Sequence, residues 1–163
     1  MLSKSAGEDY LNELKRVWPS SVNLGDSKRI GIVRIDEQVD LLFSDHFKAG
    51  RLQSKLLPFL GDQKLLEHFP KIVVDSGAVR FVCNGADVMR PGIVAFEGAF
   101  KKEDIVVVQE EKYRRYIAVG LALRDSIEAN NSDKGPVVKN IHYVGDKLWE
   151  VHKQVAARLE GKV

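Results

Sequence analysis

The stretch DSGAVRFVCNGADVMRPGIV, residues 75–94, places three glycines and one proline among mostly apolar residues. Asp75 stands where a helix N-cap would accept a backbone N–H, and we predict a short helix over residues 76–84. Gly85 follows as the left-handed residue that ends this helix. Pro91–Gly92 fit the two central positions of a type II turn, in which glycine supplies a positive φ. The same bare glycines would let another molecule approach the backbone closely.

Short apolar runs separated by turn residues surround this stretch. In chain order they are KIVV (71–74), ADVM (86–89), GIVAF (92–96), DIVVV (104–108), YRRYIAVGLAL (113–123) and GPVVKNIHY (135–143). In the longest run, strand alternation sends Arg114 and Arg115 to opposite faces. Several short strands at this spacing predict a small β-barrel. The chain then ends in a predicted helix that carries Leu148, Val151, Val155 and Leu159 on one side.

The chain before Pro70 has a different pattern. Apolar residues at helical spacing predict a helix over about residues 5–17, which Pro19 stops. KRIGIVRI (28–35) and VDLLF (39–43) are predicted to pair as strands, and residues 52–70 are apolar with helical pieces. The change at Pro70 predicts two domains, residues 1–69 and 70–163. The predicted fold class is α+β, with an N-terminal α/β domain, then a small β-barrel and a C-terminal helix.

Composition excludes several classes of protein. The chain has 163 residues and a formal net charge of +2, so it lacks the strongly basic character of many nucleic-acid-binding domains. No apolar run approaches the ~20 residues that span a bilayer. The N-terminus lacks the apolar core of a signal peptide, and we expect a cytoplasmic protein. Its single cysteine, Cys83, permits no internal disulfide.

No residue pattern in the sequence indicates catalysis. The four histidines (His46, His68, His142 and His152) are scattered, and no spacing of cysteines and histidines suggests a metal site. Cys83 lies within an apolar run and is interpreted as a small core residue rather than a nucleophile. We therefore expect no enzymatic activity, no cofactor and no metal.

The motifs in the second half resemble those of a known RNA-binding domain. DSGA at residues 75–78, NGADVMRPG at 84–92 and AVG at 118–120 are similar to the helix start, the glycine turn and the late strand of PUA domains. GIVRIDEQVDLL, KLLEHFP and NIHYVGDKLWE extend the similarity over about residues 30–150, to the malignant T-cell amplified sequence family and its archaeal members. Members of that family carry a pre-PUA domain before the PUA domain.

The resemblance implies a function and a set of contact residues. It implies a translation initiation or recycling factor that contacts the tRNA acceptor end, small-subunit rRNA or both, together with a partner related to density-regulated protein. Carried over to this chain, the RNA-binding face comprises Arg80, Asn84, Gly85, Ala86, Asp87, Met89, Arg90 and Gly92. Arg80 and Arg90 are the candidate phosphate ligands, because a guanidinium offers a fork of donors.

Other interpretations of the sequence stay open. A second basic group, formed by Lys101, Lys102, Arg114, Arg115 and Arg124, is the weaker candidate for RNA contact because Glu110 and Glu111 lie beside it. The protein could instead be the substrate-recognition partner of an RNA-modifying enzyme, a common use of PUA domains. A third interpretation is a protein-interaction module that uses Trp18 and Trp149.

Overall fold

The computed structural model describes residues 3–160, with the side chains of Ser27 and residues 158–160 left aside. The chain begins with helix α1 (Lys4–Val17), as predicted. Ser3 caps it by accepting a hydrogen bond from the N–H of Ala6 at 3.2 Å. Leu11 and Leu14 face the core, so the apolar spacing of the sequence defines the buried side of this helix.

Four antiparallel strands follow as a meander. They are β1 (Gly31–Arg34), β2 (Val39–Phe43), β3 (Lys48–Leu52) and β4 (Lys55–Pro58), in that spatial order. The predicted pairing of β1 with β2 is confirmed, with Gly31 opposite Phe43. The prediction of helical pieces from residue 52 is wrong for residues 55–58. Gln53 and Ser54 adopt positive φ and turn the chain back into β4, so that only α2 (Gln63–Leu66) is helical.

The second half forms a curled six-stranded sheet. Its strands are β5 (Lys71–Val74), β6 (Val88–Met89), β7 (Ile93–Glu97), β8 (Ile105–Glu110), β9 (Tyr116–Ala122) and β10 (Pro136–Tyr143). The spatial order is β6-β10-β9-β8-β5-β7, and β5 runs parallel to β8 while the other pairs are antiparallel. This barrel-like sheet beside helices confirms the predicted α+β class.

One local prediction in this half needs correction, and one element was not predicted. β9 begins at Tyr116, so residues 113–115 precede the strand and the arginines at 114 and 115 do not alternate along it. The short helix α4 (Ser126–Asn130) was not predicted. Asp125 caps it by accepting the N–H of Glu128 at 2.7 Å, and the D-x-x-E spacing of these two residues is a recognisable helix start.

Besides α4, two helices belong to this half, one before β6 and one after β10. α3 (Val79–Val82) follows a 3₁₀ turn at Ser76–Ala78, and the predicted C-terminal helix is α5 (Lys147–Glu160). Leu148 of α5 is fully buried against Gly50 of β3, as its place on the apolar stripe predicts. The predicted stripe residue Leu159 lies outside the described side chains. No helix among the residues that the structure describes is long and apolar enough to cross a membrane.

A hydrophobic cluster among the described residues joins the two sheets. It contains Leu41 and Leu57 of the first sheet together with Val107 and Val119 of the second. Trp18 is buried in this cluster and donates its Nε1–H to the carbonyl of Leu56 at 3.1 Å. Its burial does not fit the surface role that one interpretation gave it. The division into two domains between residues 69 and 70 stays a prediction, and residues from both sides of that boundary belong to this cluster.

Candidate nucleic-acid interface

A largely apolar groove of about 280 Å³ opens between α3 and β6. Its walls are Ala78, Phe81, Val82, Ala86, Asp87, Val88, Met89 and Gly92. Four of these, Ala86, Asp87, Met89 and Gly92, belong to the predicted RNA-binding set. Arg80, Asn84 and Gly85 lie beside the groove, on α3 and the turn that follows it. The structure therefore brings the predicted residues together in or beside the groove, except that the side chain of Arg90 is directed to carbonyls of α4 and β7.

The helix predicted over residues 76–84 is a 3₁₀ turn at Ser76–Ala78 followed by α3 at Val79–Val82. Asp75 Oδ1 accepts the N–H of Ala78 at 2.9 Å, which caps the 3₁₀ turn that leads into α3. Gly85 has a φ of +95° and ends the turn after the helix, a conformation that residues with a Cβ rarely adopt. The Tyr143 ring lies against this glycine, with its hydroxyl 3.3 Å from the position that a Cβ at residue 85 would occupy. Gly85 thus allows both the positive φ of the turn and the close packing of the Tyr143 ring.

The prediction for Gly92 is wrong in its geometry. Residues Arg90–Gly92 form a 3₁₀ turn, and Gly92 is outside the group of glycines with positive φ. Its carbonyl accepts the N–H of Asp75 at 2.9 Å, which ties this turn to the start of α3. A Cβ at residue 92 would meet Ala78 Cβ at 3.4 Å, an ordinary contact. Gly92 keeps the groove open and does not relieve strain.

Asn140 and Asp87 hold the turn between α3 and β6. The Asn140 side chain donates to the carbonyls of Val82 (2.9 Å) and Ala86 (3.0 Å). Asp87 Oδ1 accepts the N–H of Asn140 at 3.0 Å. Asp87 is therefore engaged in the structure although it is exposed, and Asn140 is a site residue that sequence reasoning missed. Its buried amide in a strand of apolar residues was the available signal.

Phe81 is the most prominent residue that the sequence analysis left out. Its side chain is 54% exposed, and Met89 on the opposite wall is 48% exposed. The guanidinium carbon of Arg80 lies 4.7 Å from the centroid of the Phe81 ring. An exposed aromatic ring beside an exposed arginine is a typical platform for unstacked bases. Placing Val79 and Val82 on the buried side of a helix would have put Phe81 outside.

The guanidinium of Arg90 is bound to backbone carbonyls of the protein. It donates to three carbonyls, those of Ala129 (2.8 Å), Ile93 (3.1 Å) and Asn130 (3.5 Å). It also lies over the Phe96 ring, 5.2 Å from the centroid. These contacts join the turn at the groove to α4 and β7. The prediction of Arg90 as a phosphate ligand assumed a free guanidinium, and the structure contradicts that assumption.

Replacing Arg90 by alanine is expected to destabilise the protein. Hydrogen bonds from a charged group contribute about 1.5–3 kcal/mol, so we expect a loss of about 2 kcal/mol, or about 4–8 °C in Tm for a chain of this size. Arg80→Ala is the matched control and should change stability by no more than about 0.5 kcal/mol. Thermal unfolding of both variants measures this. Equal melting of Arg90→Ala and the parent would show that the three contacts are dispensable.

The titratable groups in and around the site do not form a nucleophile with its base. Burial raises the pKa of the Cys83 thiol, with the charge of Arg115 opposing the shift, so the reactive thiolate is disfavoured. Burial, with the charge of Lys48, lowers the pKa of His152. His142 is fully buried and hydrogen-bonded on both ring nitrogens. Within residues 3–160 no cluster of three or more side chains is arranged to hold a metal ion.

Comparison with known proteins identifies similar domains and chains. The family model for the PUA domain matches residues 70–144. Translation machinery-associated protein 20 of Saccharomyces cerevisiae is 34% identical over 151 residues, which cover 87% of this chain and 78% of that protein. The malignant T-cell-amplified sequence 1 homolog of Drosophila melanogaster is 33% identical over 132 residues, covering 77% and 71%. A crystal structure of a hypothetical protein from Pyrococcus horikoshii OT3 superposes with a TM-score of 0.74 at 30% identity, covering 92% and 96%.

Proposed function

Because this chain belongs to the PUA-domain family of translation machinery-associated protein 20 and malignant T-cell-amplified sequence 1, we propose that it is a non-catalytic RNA-binding translation factor. It contacts the tRNA acceptor end, small-subunit rRNA or both, and acts in the cytoplasm during initiation or recycling. The family resemblance also supports a partner related to density-regulated protein. The name of the yeast relative supports the link to translation.

The observation that carries the RNA contact is the groove at α3. Single-stranded nucleotides are recognised by stacking on aromatic side chains and on arginine, and the groove offers Phe81 with Arg80 above it. Ala86 and Gly92 leave its walls without bulky side chains, so a base can enter flat. Arg80, Asn84, Gly85, Ala86, Asp87, Met89 and Gly92 form the proposed contact face. Arg90 positions this face through its hydrogen bonds to α4 and β7.

The modest charge of the protein limits the number of phosphates it can contact. With a formal net charge of +2, a footprint of two to four phosphates is the size we propose. Each neutralised phosphate contributes about −0.7 to −0.9 to the dependence of log affinity on log salt, which sums to roughly −1.5 to −3.5. Affinity for tRNA should therefore fall only moderately between low and physiological salt.

Phe81→Ala is expected to weaken binding of tRNA. Stacking of one base on an aromatic ring contributes about 1–3 kcal/mol, or about 5- to 150-fold in affinity. Arg80→Ala should also weaken binding and make the salt slope shallower by about 1. Fluorescence anisotropy with labelled tRNA, intact or lacking its single-stranded 3′ nucleotides, measures both effects and shows whether the acceptor end is read.

The control is Ile127→Ala, which shortens a 74% exposed apolar side chain that does not line the groove. It should bind tRNA as the parent does. Parent-like binding by both Phe81→Ala and Arg80→Ala would move the RNA face elsewhere. Co-sedimentation of the same variants with isolated small ribosomal subunits measures contact with the subunit separately from contact with tRNA. Co-purification with an RNA-modifying enzyme instead of ribosomal subunits would favour the substrate-recognition role.

A further inference from the structure

The turn between β8 and β9 carries a second exposed aromatic ring. Tyr113 is 63% exposed. The guanidinium carbon of Arg115 lies 5.0 Å from the centroid of its ring, and the Lys112 ammonium lies 5.2 Å from it. The arrangement repeats what Arg80 and Phe81 form at the groove, an exposed ring with a cation against it. Among nucleic-acid-binding surfaces, this pairing of an aromatic face with a positive charge suits a base and its adjoining phosphate.

Hydrogen bonds hold this turn in a defined shape. Glu110 Oε1 accepts the N–H of Tyr113 at 2.7 Å, and Oε2 accepts the Arg115 Nε–H at 3.0 Å. Gln109 donates to the carbonyl of Arg114, which has a φ of +59°. The Glu110 side chain is only 4% exposed, so its charge is directed into the turn instead of toward an approaching phosphate. The Tyr113 ring is thus presented on a fixed backbone.

The turn and the groove lie at the same end of the barrel. In the register of β9 with β10, Tyr143 is opposite Ala118, three residues after Arg115. The same Tyr143 ring lies against Gly85, in the turn that follows α3. Val82 of α3 also shares a hydrophobic cluster with Ala118. The charge of Arg115 acts on the pKa of the Cys83 thiol at the end of α3, which agrees with this proximity.

We infer that Tyr113, with Arg115 and Lys112, forms a second stacking position for a single-stranded segment of the RNA that enters the α3 groove. Arg80 and Lys112 supply positive charge beside the two rings, while the guanidinium of Arg115 is paired with Glu110 and helps to hold the Tyr113 turn. This inference rests on the proposed function and adds residues to it. It also assigns RNA contact to the β8–β9 turn through base stacking on the Tyr113 ring, with the carboxylate of Glu110 engaged within the turn and that of Glu111 exposed beside it.

The test measures binding of a labelled single-stranded RNA of about twelve nucleotides, a length within the range of one to a few stacking platforms. Tyr113→Ala is expected to weaken binding about 5- to 100-fold. Tyr113→Phe keeps the ring and should bind like the parent. Ile127→Ala serves again as the exposed apolar control. The Tyr113 side chain is exposed and only its backbone N–H is bonded within the turn, so thermal unfolding should show that both Tyr113 variants fold.

The outcomes separate this inference from the proposed function. Weaker binding by Phe81→Ala together with parent-like binding by Tyr113→Ala would overturn the inference and leave the groove as the RNA site. Parent-like binding by both alanine variants would overturn both. Equal losses for Tyr113→Ala and Tyr113→Phe would show that the hydroxyl, and not the ring, makes the contact, and would also overturn the inference. A loss confined to Tyr113→Ala, and deeper in the double variant with Phe81→Ala, supports it.

Discussion

Gly120→Ala is expected to destabilise the protein by about 3 kcal/mol or more, because the new methyl group would overlap backbone atoms that cannot move aside. Gly120 lies in the middle of β9, between β8 and β10, opposite Val106 and Asn140. A Cβ there would be placed 2.0 Å from the carbonyl oxygen of Lys139 and 2.8 Å from a methyl group of Val138. The register of β10 shifts at this point, between Asn140 and His142, which accounts for the close approach.

Thermal and denaturant unfolding measure this effect. For a chain of this size, 3 kcal/mol corresponds to a fall of about 6–12 °C in Tm. Gly92→Ala is the matched control, since its Cβ would meet only Ala78 Cβ at 3.4 Å, and it should melt within about 2 °C of the parent. Equal melting of Gly120→Ala and Gly92→Ala would mean that β10 can shift to admit a side chain.

His142→Phe is expected to cost about 2–5 kcal/mol, because it leaves two buried polar groups without partners. His142 Nε2 lies 3.1 Å from the backbone nitrogen of Leu60, which donates to it. Nδ1 lies 2.7 Å from Asp146 Oδ2. A neutral imidazole with its proton on Nδ1 satisfies both contacts at once. Phenylalanine fills the same space beside Phe59 but can neither accept the hydrogen bond from Leu60 nor donate one to Asp146.

The hydrogen bond to Leu60 joins β10 to the chain segment that follows the first sheet. Its loss should therefore lower the unfolding free energy of both halves of the molecule. Denaturant unfolding followed by tryptophan fluorescence reports this, since Trp18 and Trp149 lie in or beside the shared apolar cluster. His46→Phe changes an exposed histidine and should alter stability by about 0.5 kcal/mol at most. A double-mutant cycle with Asp146→Asn should give a coupling above about 0.5 kcal/mol. Additive effects in that cycle would contradict the proposed contact.

Some features of the site were predictable because they depend on neighbours in the chain. Asp75 caps the 3₁₀ turn that leads into α3 and Gly85 takes a positive φ, as the spacing of DSGAVRFVCNG predicts. Both follow from the donors left over at a helix start and from the steric cost of a Cβ at its end. The Gly92 prediction failed on the same kind of reasoning, since Pro-Gly fits a 3₁₀ turn as well as a type II turn. Its carbonyl bond to the Asp75 N–H selects the 3₁₀ turn here.

Strand periodicity and turn chemistry were enough to predict the α+β class and most strands of the second half, because both are local, while the assignment of that half to the PUA domain came from the resemblance of its motifs. The roles of the individual side chains depend on tertiary contacts. Arg80 and Arg90 have the same chemistry, yet Arg80 is exposed beside Phe81 while Arg90 is held by carbonyls of α4 and β7. Those carbonyls are as many as 40 residues away along the chain. Side-chain contacts made across such separations depend on how the strands pack, which no local pattern encodes.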